Sequence, residues 1–498
     1  MIRFQRKYLM AMLIGLLLGA TAQADPQLPS LFSDGMVIQR QLPVHVWGKA
    51  DPKETILVTF RGESKSTAAD TLGRWQLFLS PGEAGGPFEL TIRGKSTRVI
   101  RNVLVGDIWV ASGQSNMEWP MRNVANAAAE IAAAKYPNIR LLIVKRAFAD
   151  YPMDDASVVP WTDCNPDSVK EFSAVAYFFA REIQSKEKIP LGLIDSTWGG
   201  TPGEAWVSLK SLSADAALMP IFAARASMME HHSDVLLQQQ KANQEREAAR
   251  AAGRPIPPPE WHREPGAWAP AGLYNAMISP LTPFPIRGAI WYQGESNSPL
   301  TRATSYERVF KTLIRDWREN WGEGDFPFFF VQLANFRSTP AEDWAEIREA
   351  QRKTLELQNT EMAVTIDIGG PEELHPANKQ DVGLRLALAA RAIAYGEHLE
   401  YSGPLFRQVT HEEHALRVWF DHASSGLVAK QGELRGFEIA GADHNFVTAQ
   451  AHIEGATVLV SAPTVDTPVY VRYGWENSPE CNLYNRDGLP ASPFRSSR

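Results

Sequence analysis

The spacing of apolar residues changes twice along this chain of 498 residues, and the change limits the folds that the chain can adopt. Between about residues 29 and 105, short runs alternate apolar and polar residues. In Phe88–Arg93, for example, every second residue is apolar. This alternation is typical of half-buried strands. We therefore predict about six strands that form a small β-sandwich over residues 25–104.

From Val103 onward, apolar runs are followed by segments with helical spacing. The run Val103–Ala111 is apolar on both faces, which is typical of a buried parallel strand. Further strands are predicted at residues 191–194, 288–292, 328–333 and 363–368. Helices are predicted between them, including one that follows a capping box formed by Ser168 and Glu171, one with Tyr306, Phe310, Leu313, Trp317 and Trp321 on one face, and a last one over Lys379–Tyr395, which Gly396 ends.

Repeated strand and helix units predict a parallel sheet with helices on both faces, over residues 105–398. Residues 209–286 interrupt this order with a polar, helix-prone segment and a Pro-rich segment, and we expect this insertion to lie at the surface. Alternation returns after Gly396, so residues 399–498 are predicted to form a second all-β domain.

The N-terminal segment has the three parts of a secretory signal. Basic residues precede the apolar run Tyr8–Ala20, and small residues follow at Ala22 and Ala24. The run is shorter than the roughly 20 apolar residues that a membrane-spanning helix needs. We therefore expect a signal peptide over residues 1–24, cleavage before Asp25, and a periplasmic or secreted protein without a membrane anchor.

Charge and cysteine content limit the partners. Loss of the first 24 residues removes three positive charges and changes the formal net charge from −7 to −10. No basic cluster is present, which argues against a nucleic acid or an anionic membrane as partner. Cys164 and Cys481 could form one disulfide in an oxidising compartment, but their spacing does not show contact. The sequence gives no indication of the oligomeric state.

Polar motifs occur where predicted strands end, which is where open α/β sheets bind ligands. The first three are GQSNM (Gly113–Met117), WGGT (Trp198–Thr201) and WYQGESN (Trp291–Asn297). A fourth, LHP (Leu374–Pro376), comes directly before the last predicted helix. Together they offer a hydroxyl group, an imidazole, small residues whose backbone can approach closely, and side-chain amides.

These groups are the ones that acyl transfer needs. A serine hydroxyl becomes a good nucleophile when a neighbouring base accepts its proton, and His375 is the best candidate base for Ser115. Donors must also face the oxyanion that develops on the substrate. Alone, Ser115 would more often be a helix cap and His375 a loop residue, so the joint placement of the motifs carries this hypothesis.

The motifs GQSNM, WGGTPGEAW, WYQGESN and LHPANKQDVGLRLALAARAIAYG resemble the sialate O-acetylesterase family of carbohydrate esterases, within the SGNH hydrolases. The resemblance extends to LFSDGMVIQRQLPVHVWGKA near the N-terminus and to VRYGWENSPECNLYNRDGLPASPF near the C-terminus, and so it covers most of the mature chain. It implies an SGNH-hydrolase (flavodoxin-like) α/β fold with flanking N- and C-terminal all-β domains.

The resemblance also implies a serine hydrolase that removes acetyl groups from sugars, without a metal or other cofactor. Ser115 would be the nucleophile and His375 the base. The oxyanion donors would be the backbone N–H of Ser115, that of Gly200 or its neighbour Gly199, and the side chain of either Gln293 or Asn297.

The orienting acid is where this chain departs from the pattern. SGNH enzymes often carry Asp three residues before the histidine, whereas this chain has Glu372 there, with Glu373 next to it and Asp367 eight residues before the histidine. A longer carboxylate could still hold the imidazole, as triad logic requires. We favour Glu372, and a Ser-His dyad remains the alternative.

Substrate contacts are less readable. Met117 and Trp198 could border a small acyl pocket that accepts an acetyl group, and Trp119 could contact the substrate beside it. Trp119, Trp206, Trp261 and Trp268 could stack on sugar rings, so a carbohydrate-binding protein without catalysis is an alternative. A general carboxylesterase on the same scaffold is another. The sugar stays open among sialic acid, xylan, xyloglucan and other acetylated glycans.

Two other classes are disfavoured. The chain contains no G-x-S-x-G motif, so the nucleophile elbow of α/β-hydrolases is absent from the sequence. The segment HEEH, with His411 and His414, lacks the spacing of a zinc-binding helix, and we interpret it as a solvated loop.

Overall fold

The computed structural model of the chain describes residues 26–258 and 262–496. The predicted signal peptide and Trp261 lie outside these residues. None of the helices in the described part of the chain is both long enough and apolar enough to cross a bilayer.

Strands dominate the two ends of the described chain, and helices alternate with strands between them. The N-terminal strands are β1 (Val37–Gln39), β2 (Val44–Lys49), β3 (Thr55–Phe60), β4 (Glu63–Ala68), β5 (Arg74–Leu79), β6 (Gly85–Arg93) and β7 (Thr97–Gly113). The central strands are β8 (Tyr136–Val144), β9 (Val158–Cys164), β10 (Leu191–Thr197), β11 (Gly288–Tyr292), β12 (Phe328–Val331) and β13 (Thr360–Ala363). The C-terminal strands are β14 (Leu405–Glu412), β15 (Ala415–Asp421), β16 (Leu427–Ala429), β17 (Phe437–Ala440), β18 (Val447–Thr448), β19 (Gln450–Glu454), β20 (Thr457–Ser461), β21 (Tyr470–Tyr473), β22 (Leu483–Asn485) and β23 (Phe494–Arg495).

The α-helices of the described residues lie between β7 and β14. They are α1 (Ser115–Glu118), α2 (Ala127–Ala133), α3 (Pro166–Val169), α4 (Ala174–Glu187), α5 (Leu209–Ser213), α6 (Met219–Glu230), α7 (His232–Ala251), α8 (Leu300–Ala303), α9 (Tyr306–Trp321), α10 (Trp344–Thr354) and α11 (Lys379–Ile393). Helix α9 shows why these segments fold as they do. Its residues Tyr306, Phe310, Leu313 and Trp317 recur at helical spacing and are all buried against the sheet.

Strand β7 connects the N-terminal β-region to the central sheet. Its first half pairs with β6 in an antiparallel arrangement, and its second half is the middle strand of the parallel sheet. The boundary predicted between residues 104 and 105 therefore falls inside one continuous strand. The N-terminal β-region and the central sheet also share one hydrophobic core.

The central sheet has the strand order β13-β12-β11-β7-β10-β8-β9, and its pairs are parallel except β8 with the edge strand β9. Gly113, the last residue of β7, is level with Thr197 of β10 on one side and with Tyr292 of β11 on the other. The three strands therefore end together. This confirms the predicted parallel α/β sheet with all-β regions on either side in sequence.

The C-terminal region is all-β, as predicted, and has its own hydrophobic core. It contains two antiparallel four-stranded sheets, β14-β15-β20-β19 and β18-β17-β21-β23. Buried Arg348 of α10 joins this region to the central sheet, because its guanidinium group donates to the carbonyls of Leu333 and Ala334 and to those of Glu476 and Asn477.

Two local predictions are wrong. The strand expected at residues 363–368 is β13, which ends at Ala363. Beyond that point, the carbonyl of Val364 accepts from the Arg385 side chain and the hydroxyl of Thr365 donates to the carbonyl of Gln332, so these residues do not continue the ladder. Ser168 and Glu171 form no capping box. Asn165 caps α3, Ser173 caps α4, and Glu171 pairs with Arg122.

The insertion divides into an exposed part and a buried part. Helix α6 has no buried side chain, and α7 has one, Ala249. By contrast, residues 271–278 are buried in the main core, beside the active-site strands. Cys164 and Cys481 are both free, so the disulfide that the sequence left open is not formed.

Candidate active site

Ser115 and His375 are in hydrogen-bond contact although 260 residues separate them. The Nε2 atom of His375 lies 2.8 Å from Oγ of Ser115. Ser115 is the first residue of α1, directly beyond the end of β7. His375 lies in the loop between β13 and α11. The contact places a basic nitrogen where it can accept the hydroxyl proton.

The turn out of β7 depends on a glycine. Gly113 has φ +132°, and a Cβ atom there would lie 2.2 Å from the carbonyl oxygen of Tyr292. Since no other residue fits this close approach, Gly113 lets the chain leave the sheet between β10 and β11. Ser115 is thereby placed at the point where both neighbouring strands end.

The carboxylates proposed as orienting acid are not in contact with the histidine. Glu372 forms an ion pair with Arg337, 2.8 Å away, on an exposed turn where 76% of the glutamate side chain is accessible. Asp367 is paired with Arg385. Glu373 accepts a hydrogen bond from the backbone of Gly370. Within the described ranges, no carboxylate lies within 4.0 Å of a ring nitrogen of His375.

The surroundings of His375 favour its neutral form. Its ring stacks on Trp119, with centroids 4.9 Å apart and an angle of 20° between the planes. Burial, together with the positive charge of Lys379, lowers the pKa of His375 to about 4. The imidazole is therefore available as a base over most of the pH range.

The two candidate glycines differ in what their N–H groups bind. The N–H of Gly199 donates to Oε2 of Glu118 at 2.9 Å. The N–H of Gly200 has no acceptor among the described residues, and Gly200 adopts φ +73°. Nε1 of Trp268 donates to the Gly200 carbonyl at 2.8 Å and so holds this peptide in place. Gly200 is thus the residue with a free donor, as is Ser115 at the start of α1.

The two candidate amides are both buried, and they are bonded to each other. Nε2 of Gln293 lies 2.8 Å from Oδ1 of Asn297 and also faces acceptors on Gln114 and Thr201. Nδ2 of Asn297 donates to Glu204, and one of its two hydrogens stays without an acceptor in the described part of the chain. Asn297 is therefore the amide that retains a free donor.

The residues predicted to contact substrate fall into three groups. Met117 and Trp206 are fully buried, and neither presents its side chain to solvent. Trp119 and Trp198 are half-buried, and Trp119 lies against His375. Trp268 is buried and contacts the site through the Gly200 carbonyl.

Several polar residues of the site were missed at the level of sequence. Asn116 and Lys379 stand inside the motifs GQSNM and LHPANK, and Glu295 stands inside WYQGESN. Glu118 follows Ser115 by less than one helical turn. A usable signal was present, because Asn116, Glu295 and Lys379 are polar residues next to motif residues that we had assigned. Their contacts with one another, however, are tertiary.

Comparison with known proteins shows the family to which the chain belongs. The profile of the carbohydrate esterase family described as sialic acid-specific acetylesterase matches residues 249–394, which include the GESN motif and His375. Human sialate O-acetylesterase is 30% identical over 518 residues, covering 93% of this chain and 91% of the human protein. The mouse enzyme is 29% identical with 93% of each chain covered.

A solved structure is also similar over nearly the whole chain. The carbohydrate acetylesterase XAC1771 from Xanthomonas citri is 39% identical and superposes with a TM-score of 0.82, covering 95% of this chain and 100% of that one. The predicted SGNH-type fold with additional all-β regions is confirmed. The chain therefore belongs to the sialate O-acetylesterase family and is a carbohydrate O-acetylesterase.

Proposed function

We propose that this chain is a serine esterase that hydrolyses O-acetyl esters on carbohydrates through an acyl-enzyme. The 2.8 Å contact between Ser115 Oγ and His375 Nε2 is the observation that carries this proposal. A protein that only bound sugars would have no need of a buried, neutral base against an accessible serine. The family of the chain supports the acetyl ester as the bond that is cleaved.

In the first half of the reaction, Oγ of Ser115 attacks the carbonyl carbon of the acetyl group while its proton passes to Nε2 of His375. The negative charge that develops on the carbonyl oxygen is met by the N–H groups of Ser115 and Gly200 and by Nδ2 of Asn297. The bond between the acyl carbon and the sugar oxygen then breaks. His375 returns the proton to that oxygen.

In the second half, water takes the place of the sugar. His375 accepts a proton from the water as it attacks the acyl-enzyme, and the proton then returns to Oγ of Ser115 as acetate leaves. Because Glu372 is paired with Arg337, we propose that Ser115 and His375 act as a dyad without a carboxylate on Nδ1. Trp119 supports the ring from one face.

We propose that the ester lies between Trp198 and Trp119, with the sugar toward solvent, since both side chains are half-buried, Gly199 after Trp198 lies next to Ser115, and Trp119 stacks on His375. Met117 is fully buried, so it would border this region only from the side of the core. Sialic acid, xylan and xyloglucan can all carry acetyl esters on sugar hydroxyls. They are the substrates to compare first.

We further propose that residues 1–24 are a signal peptide and that the mature enzyme is periplasmic or secreted. The three-part layout of this segment supports export. N-terminal sequencing of the protein recovered from a periplasmic or culture fraction tests it. A chain beginning at Asp25 is expected, and recovery with Met1 intact would contradict the proposal.

The experiment that tests the enzymatic proposal is acetate release by residues 25–498 from p-nitrophenyl acetate, acetylated sialic acid, acetylated xylan and acetylated xyloglucan. Ser115→Ala is expected to lower kcat/KM by at least about 10³-fold on every active substrate. The matched control is Ser185→Ala, on the exposed face of α4, which should leave the rate unchanged. Activity retained by folded Ser115→Ala would contradict the serine mechanism, and binding without acetate release would support a carbohydrate-binding protein.

A further inference from the structure

One side chain connects the segment that carries the nucleophile to the segment that carries the histidine. Asn116 follows Ser115, and its Nδ2 donates to the carbonyl oxygen of Leu374, the residue before His375, at 3.0 Å. The same Nδ2 donates to Oε1 of Glu295 at 2.5 Å. Oδ1 of Asn116 accepts from Nζ of Lys379, also at 2.5 Å. Both hydrogens of Nδ2 and the Oδ1 atom of the amide therefore have partners.

The chemistry of the two charged partners fixes which way this amide faces. A lysine ammonium can only donate and a carboxylate can only accept, so Oδ1 must face Lys379 and Nδ2 must face Glu295. The remaining hydrogen of Nδ2 is then aimed at Leu374. If Lys379 were lost, Oδ1 would have no donor, and the amide would be held only through its Nδ2 atom.

Packing does not account for these charges. Lys379 is 1% exposed, and Oε2 of Glu295 is buried without a hydrogen-bond partner among the residues that the structure describes. The ammonium and the carboxylate are joined through Asn116 and not by direct contact. Buried charges without a direct partner destabilise a fold relative to apolar residues of similar size. Both residues contact Asn116, which is next to Ser115, so a role in the reaction would account for their burial.

We propose that Lys379 and Glu295 are positioning residues. Through Asn116 they hold Ser115 and His375 in a fixed position relative to each other, in place of an orienting carboxylate on the histidine. This inference rests on the proposed function, because it assigns roles around the same catalytic pair. Asn116 thereby fixes the backbone on the N-terminal side of His375. Trp119 fixes the ring itself by stacking.

Lys379 also acts on the histidine through its charge. Its Nζ lies 5.8 Å from the ring of Trp119, which stacks on His375, and 5.5 Å from the ring of Tyr292. The positive charge disfavours the imidazolium form and contributes to the low pKa of His375. Burial lowers the pKa of Lys379 to about 7, and Glu295 opposes this shift, so the lysine is charged throughout the acid range.

The other charged groups on the elements around His375 are already bonded. Glu118 of α1 pairs with Arg146, Glu372 of the histidine loop pairs with Arg337, and Glu373 accepts from the backbone of Gly370. Asp381 of α11 accepts from Asn378. Lys379 and Glu295 are thus the charges whose removal should be felt at the catalytic pair.

The test measures kcat, KM and the pH profile of kcat/KM for the mature enzyme on p-nitrophenyl acetate, with two variants. Lys379→Met is expected to lower kcat about 10- to 100-fold with KM changed less than about twofold, because a small displacement of reacting groups costs rate more than binding. Its acid limb should move above about pH 4, since a positive charge beside His375 has been removed, while burial, the larger cause of the low pKa, remains.

Asn116→Ala separates positioning from charge. It removes the bonds to Leu374 and Lys379 but leaves the ammonium in place, so kcat is expected to fall about tenfold while the acid limb stays near pH 4. The control is Lys311→Met on α9, another buried lysine, which pairs with Glu307 and Glu356. The Lys311→Met control should change neither kcat nor the acid limb of the pH profile.

Folded Lys379→Met with kcat within twofold of wild type and an unmoved acid limb would overturn the inference. If Lys379→Met does not fold, the Asn116→Ala variant alone tests the inference, and an unchanged kcat in that variant overturns the inference. These outcomes differ from failure of the proposed function, in which wild type and Ser115→Ala would release acetate equally from every substrate.

Discussion

The two halves of the active site are built in different ways. The serine side, which consists of Ser115, Gly200, Gln293 and Asn297, follows directly from the ends of β7, β10 and β11, and its amides are buried and bonded to one another. The histidine loop, residues 364–378, leaves the sheet after β13 and carries exposed carboxylates that are bonded elsewhere. Sheet register places the first half, whereas a few side-chain contacts place the second.

This difference predicts how each half responds to substitution. On the serine side, a side chain that is lost leaves several buried polar partners unsatisfied, so effects should be large. On the histidine loop, only His375 and the groups that hold it should matter, and the neighbouring carboxylates should be nearly neutral. The following measurements test the comparison from the largest expected effect to the smallest.

Asn297→Ala should have the largest effect after the catalytic pair. We expect kcat on p-nitrophenyl acetate to fall about 10²- to 10³-fold, because one oxyanion donor is lost and the bonds to Glu204, Gln293 and Gly203 go with it. Asn320→Ala, at the exposed end of α9, is the matched control and should be neutral. A loss below about fivefold in a folded Asn297→Ala protein would remove Asn297 from the oxyanion hole.

The pH profile tests the histidine side. Because burial and Lys379 hold the pKa of His375 at about 4, and because the neutral ring is the active base, kcat/KM should be lost only as the pH falls through 4. At pH 5, the neutral fraction of His375 is then about 30-fold larger than that of a histidine with the ordinary pKa of 6.5, and kcat/KM should be larger by the same factor. An acid limb at pH 6 or above, with the protein folded by circular dichroism, would contradict this picture.

Trp268→Phe should give an intermediate effect on the serine side. The variant keeps an aromatic ring but removes the donor that holds the carbonyl of Gly200, so we expect kcat to fall about three- to tenfold with little change in fold. Trp321→Phe removes the same type of bond, to Phe284, inside the core and away from the site. If kcat falls by the same factor in both variants, the loss in Trp268→Phe is explained by lower stability only.

Glu372→Gln should have the smallest effect. Its carboxylate is exposed and paired with Arg337, so we expect kcat/KM within about twofold of wild type and no change in the acid limb. Asp367→Asn, made in parallel, distinguishes this position from the other candidate acid. A loss above tenfold for Glu372→Gln would restore a Ser-His-Glu triad and reverse the comparison for this residue.

The sequence was most informative where function follows from the ends of strands. Ser115 follows an apolar run that is typical of a buried strand, and this placement, together with the motifs after the neighbouring strands, made it a candidate nucleophile. The predicted strand at 288–292 agrees with β11 residue for residue. The strand expected at 363–368 is β13 at residues 360–363, which begins three and ends five residues earlier, because an apolar run cannot show which of its residues enter the ladder.

Sequence reasoning was less informative where two alternatives differ only in their partners. Gly199 and Gly200 are identical in type, and the bond from Gly199 to Glu118 is what leaves Gly200 as the free donor. In the same way, Glu372 matched the spacing of an orienting acid, but an exposed carboxylate takes whichever cation the fold brings near, and that cation is Arg337.

The sequence by itself determined the class of fold and the order of its regions, because hydrophobic periodicity is a local property of the chain. Its motifs made Ser115 and His375 candidates for a pair, and the structure shows their contact. Only the tertiary structure decided that Asn116 meets Glu295 and Lys379, which are 179 and 263 residues away from it. Hydrogen bonds and charge interactions act over a few ångströms, so the identity of each partner depends on distances that no spacing along the chain contains.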